Sequence, residues 1–307
     1  DRSVSRGLGD VYKRQNKLFM VEPKVFFMNP QTASSNHYQV DDNSKSADKV
    51  LKKAKREFTA FKNVLTENGV DVLSMKGSAE CPDHIFPNWF ITFQNKTFQI
   101  FSMLAENRRK EKTPEMIEKL SKDYKLTRDL SFHEERNIFL ESTSSMVFDR
   151  VNRVVYLTIS PRANAGLANE WCNENNYELV MFETESHTGS PIYHTDVLMY
   201  VGTSVIGICY EVIKPEYRDY VKERVEKHHE VIEIKKEQLL SFCGNCLEIA
   251  DKDDNLMLAM STAGFNGYTP LQKDKINKHF KKIVHSDIQT IEKYGGGSAR
   301  CMLAELF

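Results

Sequence analysis

Five polar residues recur at nearly equal intervals along the chain, each in front of an apolar segment that reads as a hairpin. They are Asn88, Glu141, His194, Asn245 and Cys301, separated by 53, 53, 51 and 56 residues. The set contains a thiol nucleophile, an imidazole able to act as a general acid and base, and a carboxylate able to orient that imidazole. If the fold brings them to one point, they predict covalent catalysis through Cys301.

The segments behind these residues predict how the fold positions them. Each reads as an apolar strand, a tight polar turn and a second apolar strand, as in NWFITFQNKTFQIFSML and HTDVLMYVGTSVIGICYEV. The stretches between them have room for one helix and a further strand, which indicates an α/β protein. A fixed period with one hairpin per unit is typical of a propeller. We therefore predict a five-bladed α/β propeller in which the five polar residues point to the central axis.

Composition and charge indicate the class of partner. The 307 residues include 42 basic and 43 acidic side chains, a net charge of -1, so the chain has no electrostatic footprint for nucleic acid or an anionic membrane. No apolar run approaches the ~20 residues needed to cross a bilayer. We expect a cytoplasmic protein that acts on a small molecule, and the sequence leaves open whether it forms a homo-oligomer.

The six cysteines are too widely scattered for a disulfide framework, so we expect reduced thiols. Cys243 and Cys246 form a CxxC pair, but no second pair or histidine cluster completes a zinc site. The sequence therefore predicts neither a metal nor an organic cofactor. Residues 1–15 lack hydrophobic periodicity and resemble appended sequence, which leaves residues 16–307 as the predicted single domain.

Charged residues near the five polar positions bear on the substrate. Two adjacent arginines, Arg108 and Arg109, are suited to holding an α-carboxylate. Asp196 follows His194 by two positions, so on a strand it would face the same side and favour a cationic group. Asn88 favours a neutral group instead, and Asp83 is placed to supply a second carboxylate if it turns inward.

Strings spread over nearly the whole chain resemble those of a known superfamily. They are MVEPKVFFMNPQTASSNHYQV, PDHIFPNWF, MLAENRR, FLESTSSMVFDR, SPRAN, YHTDVLMYVGTS, FCGNCLEI and GGGSARCMLAE. The chain is similar to the pentein superfamily, five-bladed α/β propellers that include arginine deiminases, dimethylarginine dimethylaminohydrolases and amidinotransferases. The branch it most resembles is that of the citrulline-utilisation hydrolases.

The resemblance implies a role for most of the singled-out residues. It makes Cys301 the nucleophile, His194 the catalytic acid and base, and Glu141 the active-site glutamate. It also makes Asp196 the second member of a His-x-Asp pair and Arg162 a ligand of the substrate carboxylate. Two asparagines are added to the substrate-binding set: Asn36, which lies in a family string, and Asn245, which can equally buttress the loops.

We expect hydrolysis of a C–N bond at a ureido or guanidino carbon, with citrulline converted to ornithine as the leading assignment. An arginine deiminase, a dimethylarginine hydrolase and an amidinotransferase are the enzymatic alternatives. A catalytically silent propeller that binds a macromolecule is the alternative of another class.

A glycine run precedes the proposed nucleophile. Gly295, Gly296 and Gly297 allow close backbone approach and dihedral angles that other residues rarely adopt. We therefore expect them to let the C-terminal strand close the ring and deliver Cys301 to the axis.

Overall fold

Fifteen short strands provide the framework of the protein. A computed structural model describes residues 16–40 and 46–307. Within these residues the strands are β1 (Lys17–Glu22), β2 (Asp71–Lys76), β3 (Phe90–Phe93), β4 (Thr97–Ile100), β5 (Lys125–Asp129), β6 (Val147–Asp149), β7 (Val154–Thr158), β8 (Glu178–Phe182), β9 (Met199–Val201), β10 (Val205–Ile208), β11 (Glu230–Glu233), β12 (Leu247–Ala250), β13 (Leu256–Ser261), β14 (Lys282–Ser286) and β15 (Ala304–Glu305). They assemble into five three-stranded sheets.

All five sheets share one topology. The first two strands of a sheet pair antiparallel and the third pairs parallel with the second, as in β6–β7–β8, where Val155 lies opposite both Phe148 and Leu179. A parallel pair needs a crossover connection, and a helical segment provides it in each sheet. The middle strand is buried along most of its length in every sheet, and all five residues of β7 are buried.

Nine α-helices lie in the described part of the chain, most of them on these crossovers. They are α1 (Ala47–Glu67), α2 (Glu106–Arg109), α3 (Pro114–Ser121), α4 (Ser142–Ser145), α5 (Ala165–Glu174), α6 (Pro215–Glu226), α7 (Thr262–Gly267), α8 (Pro270–His279) and α9 (Gln289–Gly295). The longest, α1, buries Val50, Ala54, Phe58, Phe61 and Leu65 along one face, while Lys49, Lys52 and Lys53 are exposed. Helices α5 and α8 begin at side-chain caps, Asn164 and Thr269.

The two ends of the chain complete one sheet together. Strand β15 pairs antiparallel with β1, with Leu18 opposite Glu305 and Phe19 opposite Ala304, and β1 pairs parallel with β2. The first strands of neighbouring sheets also contact each other, β15 with β3, β6 with β9 and β9 with β12. This arrangement confirms the predicted five-bladed α/β propeller, and β15 closes the ring as the glycine run indicated.

Two of the predicted strand starts are wrong in detail. Glu141 is followed by the short helix α4, and His194 by a 3-10 turn over Thr195–Val197, before β6 and β9 begin. The polar residues Ser142 and Thr195 can be fully buried there because their hydroxyls donate to the backbone carbonyls of Phe90 and Ser145. The period survives because an added helical turn replaces part of the strand in both units.

None of the helices in residues 16–40 and 46–307 has the length and apolar composition needed to cross a bilayer. The prediction for residues 1–15 lies outside the described residues.

Candidate active site

The five periodic residues all end up buried at the turns that lead into the first strands of the blades. Asn88 and Asn245 lie two residues before β3 and β12, and Cys301 lies in the 3-10 turn Arg300–Met302 that precedes β15. Asn88 is the most exposed of the five, at 4%. Radial packing of equivalent turns therefore brings polar side chains together at the centre of an otherwise apolar ring.

A narrow pocket opens beside Cys301. Seven of the residues singled out from the sequence line it: Asn36, Asp83, Asn88, Arg108, Arg162, His194 and Cys301. The other walls are formed by Phe86, Tyr193, Gly295 and Gly297. Glu141, Asn245 and Asp196 do not line this pocket, and they contact the residues that do.

Cys301 is held from behind by an asparagine of the neighbouring blade. Asn245 Nδ2 lies 3.2 Å from Cys301 Sγ, and Asn245 Oδ1 accepts a hydrogen bond of 3.3 Å from the Cys301 backbone N–H. Asn245 Nδ2 also donates to the carbonyl of Asp196 at 2.9 Å. One amide thus fixes both the thiol and the backbone that carries it.

Asp196 lies beside the sulfur and away from the pocket lined by His194. Its Oδ2 is 3.6 Å from Cys301 Sγ, and its Oδ1 has no hydrogen-bond partner among the described residues. The expectation that Asp196 shares a strand face with His194 is wrong, because residues 195–197 form a 3-10 turn. The turn instead carries the carboxylate to the far side of Cys301.

A carboxylate fixes the orientation of the His194 imidazole. Glu141 Oε2 lies 2.7 Å from His194 Nε2, while His194 Nδ1 is buried without a partner among the described residues. The bond to a carboxylate requires a proton on Nε2, so in the neutral ring Nδ1 carries the lone pair. His194 therefore presents a free basic nitrogen at the pocket.

Burial and nearby charges shift the pKa values of Glu141, His194, Cys301 and Asp196 in different directions. Burial acts to raise the pKa of Glu141, but the charge of Arg162 and the bond to His194 outweigh it, so the pKa lies below its usual range. Burial lowers the pKa of His194. Burial, reinforced by Asp196, raises the pKa of the Cys301 thiol, and burial also raises the pKa of Asp196. The resting site thus favours a neutral imidazole and a protonated thiol.

Two buried arginines flank Glu141 and line the same pocket. Arg162 NH1 lies 3.6 Å and Arg108 NH1 3.5 Å from Glu141 Oε2. The other side of Arg162 is held by Ser35 Oγ, at 3.1 and 2.8 Å, and its guanidinium stacks on the Tyr193 ring. Because both guanidinium groups face the pocket, it is suited to an anionic group such as a carboxylate.

One carboxylate, Asp83, faces the pocket between the arginines and the loop before α1, of which residues 23–40 are described. Asp83 Oδ2 accepts hydrogen bonds from Asn29 Nδ2 at 2.8 Å and Thr32 Oγ1 at 3.1 Å, and Asp83 Oδ1 has no partner among the described residues. The sequence left open whether Asp83 turns inward, and the structure places it inward. This free carboxylate oxygen can accept a hydrogen bond, which suits a ligand group rich in N–H donors.

The glycine run follows α9 and approaches the loop before α1 closely. Gly296 adopts a φ of +61°, and a Cβ atom there would lie 2.6 Å from the backbone nitrogen of Gln39. Asn36 Nδ2 donates to the carbonyls of Gly295 and Gly296, and Tyr193 donates through its hydroxyl to Gly296 at 2.6 Å. The run therefore joins three parts of the pocket wall while it leads into Cys301.

Sequence reasoning missed two residues of this neighbourhood. Tyr193 directly precedes His194 and contacts both Arg162 and the glycine run, and only its aromatic character next to a candidate histidine signalled it. Glu111 pairs with Arg108 at 2.8 Å and is fully buried; its spacing of three residues from Arg108 was the available signal.

The CxxC pair has no metal-binding surroundings. The six cysteines are free and buried, and no group of three or more histidine, cysteine or acidic side chains is arranged to hold a metal ion in the part of the chain that the structure describes. Cys243 and Cys246 instead make sulfur contacts to backbone carbonyls.

Solved structures with the same fold cover 95% of the chain. The N-terminal domain of ArgZ bound to product, described as an arginine dihydrolase from the ornithine–ammonia cycle in cyanobacteria, matches with a TM-score of 0.74 at 13% identity over 97% of its length. A complex of an AgrE variant with L-arginine matches with a TM-score of 0.74 at 13% identity over 40% of its length. A dimethylarginine dimethylaminohydrolase variant in adduct with S-methyl-L-thiocitrulline matches with a TM-score of 0.62 at 16% identity over its full length.

At these identities the structural matches establish the fold, and a search of curated protein sequences found no significant match. The family itself comes from the sequence. A family model described as eukaryotic N,N dimethylarginine dimethylhydrolase matches residues 22–307. This match favours the guanidino alternative over the citrulline hydrolase that led the sequence analysis. The chain belongs to the N,N-dimethylarginine dimethylhydrolase family of the pentein superfamily, whose members are cysteine-dependent hydrolases acting on non-peptide C–N bonds.

Proposed function

We propose that the protein hydrolyses the guanidino group of an arginine-type amino acid, with methylated arginine as the first candidate substrate and Cys301 as the nucleophile. The single observation that carries the proposal is the pocket itself. It presents the Cys301 thiol, a histidine with a free nitrogen and an unpaired Asp83 oxygen within one enclosure, with two buried arginines beside them. The family match supports the same substrate class.

Charge complementarity supports a cationic head group with an anionic tail. The guanidinium carries N–H donors on every side, and the free oxygen of Asp83, which lines the pocket, is suited to accept one of them. Arg108 and Arg162 are suited to the α-carboxylate of the same molecule. A bound cation beside the sulfur would also lower the pKa of the Cys301 thiol, which burial otherwise raises.

The first chemical step joins Cys301 to the substrate. The sulfur attacks the guanidino carbon and a C–S bond forms, while the C=N electron pair moves to nitrogen. The thiol proton passes to His194, which returns a proton to the departing amine as the C–N bond breaks. Glu141, at 2.7 Å from the imidazole, stabilises its charged form in between.

The second step releases the product. Water attacks the same carbon and gives a proton to His194, and the C–S bond breaks with its electron pair returning to sulfur. The products are a ureido amino acid and the amine, and the thiol is regenerated with its proton. The same residues serve both steps because the imidazole ends each one in the state that the next requires.

A second candidate is hydrolysis of both C–N bonds, which would convert arginine to ornithine. The observation that favours it is Asn88, a neutral side chain that lines the pocket and suits the neutral ureido group formed by the first hydrolysis. The ArgZ structures, described as arginine dihydrolases, have the same fold. This route would involve both groups that the sequence analysis considered, first a guanidino group and then a ureido group.

Intact-mass spectrometry after acid quenching tests both candidates. Dimethylarginine, arginine and citrulline are mixed separately with the wild-type protein and with Cys301→Ser. An adduct on the wild type alone, together with a ureido product and released amine, supports the proposal. Ornithine formed from arginine identifies the second candidate. Full turnover by Cys301→Ser, or no adduct and no product with any substrate, would contradict the proposed function.

A further inference from the structure

Arg108 has a dedicated buried partner that belongs to none of the catalytic groups described above. Arg108 Nε lies 2.8 Å from Glu111 Oε1, and Arg108 NH2 lies 3.1 Å from Glu111 Oε2. Glu111 is fully inaccessible and Arg108 is 2% exposed. Two parallel N–H···O bonds fix the plane of the guanidinium as well as its position.

The bidentate pair determines which edge of Arg108 faces the pocket. NH2 also donates to the carbonyl of Phe86 at 2.6 Å, so Nε and NH2 are fully occupied by Glu111 and the PDHIFPNWF loop. NH1 is left facing the pocket, with one long contact of 3.5 Å to Glu141. Donors therefore remain on NH1 for a ligand.

Arg162 lacks such an anchor. Its Nε and NH2 bond to the hydroxyl of Ser35 and the carbonyl of Thr32, which are neutral groups on the loop before α1. The two arginines that line the pocket are thus held in different ways. Only Arg108 has its charge compensated from outside the pocket by a carboxylate at hydrogen-bond distance among the described residues.

Removing the charge of Glu111 would change the balance around Glu141. A buried guanidinium without a close counterion is costly, so Arg108 would shift toward the nearest remaining carboxylate. That carboxylate is Glu141, which already bonds His194 at 2.7 Å. A shift of Arg108 onto Glu141 would occupy the NH1 donors.

We propose that Glu111 is a positioning residue that holds Arg108 with its NH1 edge free to bind the α-carboxylate of the substrate. Glu111 acts through Arg108 and does not touch the substrate. This inference rests on the proposed function, since it assumes a substrate with an α-carboxylate.

The test compares L-arginine-type substrates with their decarboxylated analogues in Glu111→Gln. We expect the ratio of kcat/KM for the carboxylate-bearing substrate to that for the decarboxylated analogue to fall by about tenfold or more, because a contact made only by the carboxylate is lost. A change at Glu141 that reaches His194 would lower kcat for both compounds equally and would leave this ratio unchanged. A merely structural role would reduce turnover of both compounds alike.

A double-mutant cycle identifies the route of the effect. In the Arg108→Gln background, Glu111→Gln should change KM by less than about twofold, because the residue through which Glu111 acts is already gone. Glu248→Gln is the matched control: it replaces a buried glutamate whose oxygens bond Thr203, away from the pocket. It should leave KM for both compounds unchanged.

Isothermal titration calorimetry on Cys301→Ser, with and without the added Glu111→Gln substitution, distinguishes failure of this inference from failure of the proposed function. If L-arginine-type ligands bind the two proteins equally well, or if the effects of Glu111→Gln and Arg108→Gln are additive, the inference is wrong and the proposed function stands. If neither the carboxylate-bearing nor the decarboxylated ligand binds or turns over, the proposed function fails and the inference fails with it.

Discussion

His194 Nε2 lies 2.7 Å from the Glu141 carboxylate, which leaves Nδ1 as the ring nitrogen free to exchange protons in the pocket. The same oxygen, Glu141 Oε2, also lies 3.5 Å from Arg108 NH1 and 3.6 Å from Arg162 NH1. A single buried carboxylate therefore orients the imidazole and also balances part of the positive charge around the pocket.

Glu141→Gln should lower kcat by about a hundredfold or more, within the range for losing general acid and base catalysis. The amide can still bond the ring but no longer stabilises the imidazolium, so the pKa of His194, which burial already lowers, should fall further. The measurement is the pH dependence of kcat. An unchanged kcat and pH profile would remove Glu141 from the proposed mechanism.

Asn245→Asp should slow alkylation of Cys301. The asparagine amide donates to the thiol at 3.2 Å, and an aspartate would replace this donor with a negative charge beside a sulfur that already has Asp196 at 3.6 Å. Both changes disfavour the thiolate, so the pH midpoint of inactivation by iodoacetamide should rise. Asn245→Ala, which removes the donor without adding charge, should give a smaller rise. Equal rates in all three proteins would show that Asn245 does not act on the thiol.

Asn88→Asp should shift substrate preference toward the cation. Asn88 and Asp83 line the same pocket, and a second carboxylate there would favour a guanidinium over a neutral ureido group. The expected result is a rise of about tenfold in the ratio of kcat/KM for arginine to that for citrulline. Asp83→Asn should move the ratio the other way, and movement of both variants in one direction would contradict the charge argument.

Gly296→Ala should reduce both stability and activity more than the same substitution at Gly189, another glycine with positive φ. Gly296 has a φ of +61°, and a Cβ there would lie 2.6 Å from the backbone of Gln39 and 2.7 Å from Asn36 Nδ2. Gly189 is the matched control, because its φ is +82° but nothing lies within 4 Å of its Cβ position. Gly189→Ala should cost only the conformational penalty of about 1 kcal/mol, and Gly296→Ala more. Equal losses of Tm in the two variants would show that the contact with the loop before α1 is unimportant.

The propeller could be predicted from sequence because a polar residue followed by an apolar hairpin recurs at a regular spacing. Asn88, Glu141, His194, Asn245 and Cys301 are polar residues at the same point of each unit, and a radial fold has one place for them. Asp196 could not be placed in this way, since its orientation depends on a 3-10 turn that a strand pattern does not reveal. Glu111 and Tyr193 could not be assigned either, because their roles depend on which side chains the fold buries beside them.

Glu292→Gln should stabilise the protein at alkaline pH and change little at acid pH. Glu292 is buried behind the glycine run, where it accepts a hydrogen bond of 2.6 Å from Ser298, and burial raises its pKa to about 7. Between its unfolded pKa of 4.5 and this folded value, the folded state binds more protons, so stability falls as pH rises through that window. Glutamine keeps a hydrogen-bonding oxygen without the charge, so the Tm difference between variant and wild type should grow by a few degrees from pH 5 to pH 8. Thermal melts at both pH values measure it, with Glu185→Gln, which replaces an exposed surface glutamate, as the control. A Tm difference that is independent of pH would show that Glu292 does not bind its proton more tightly in the folded state.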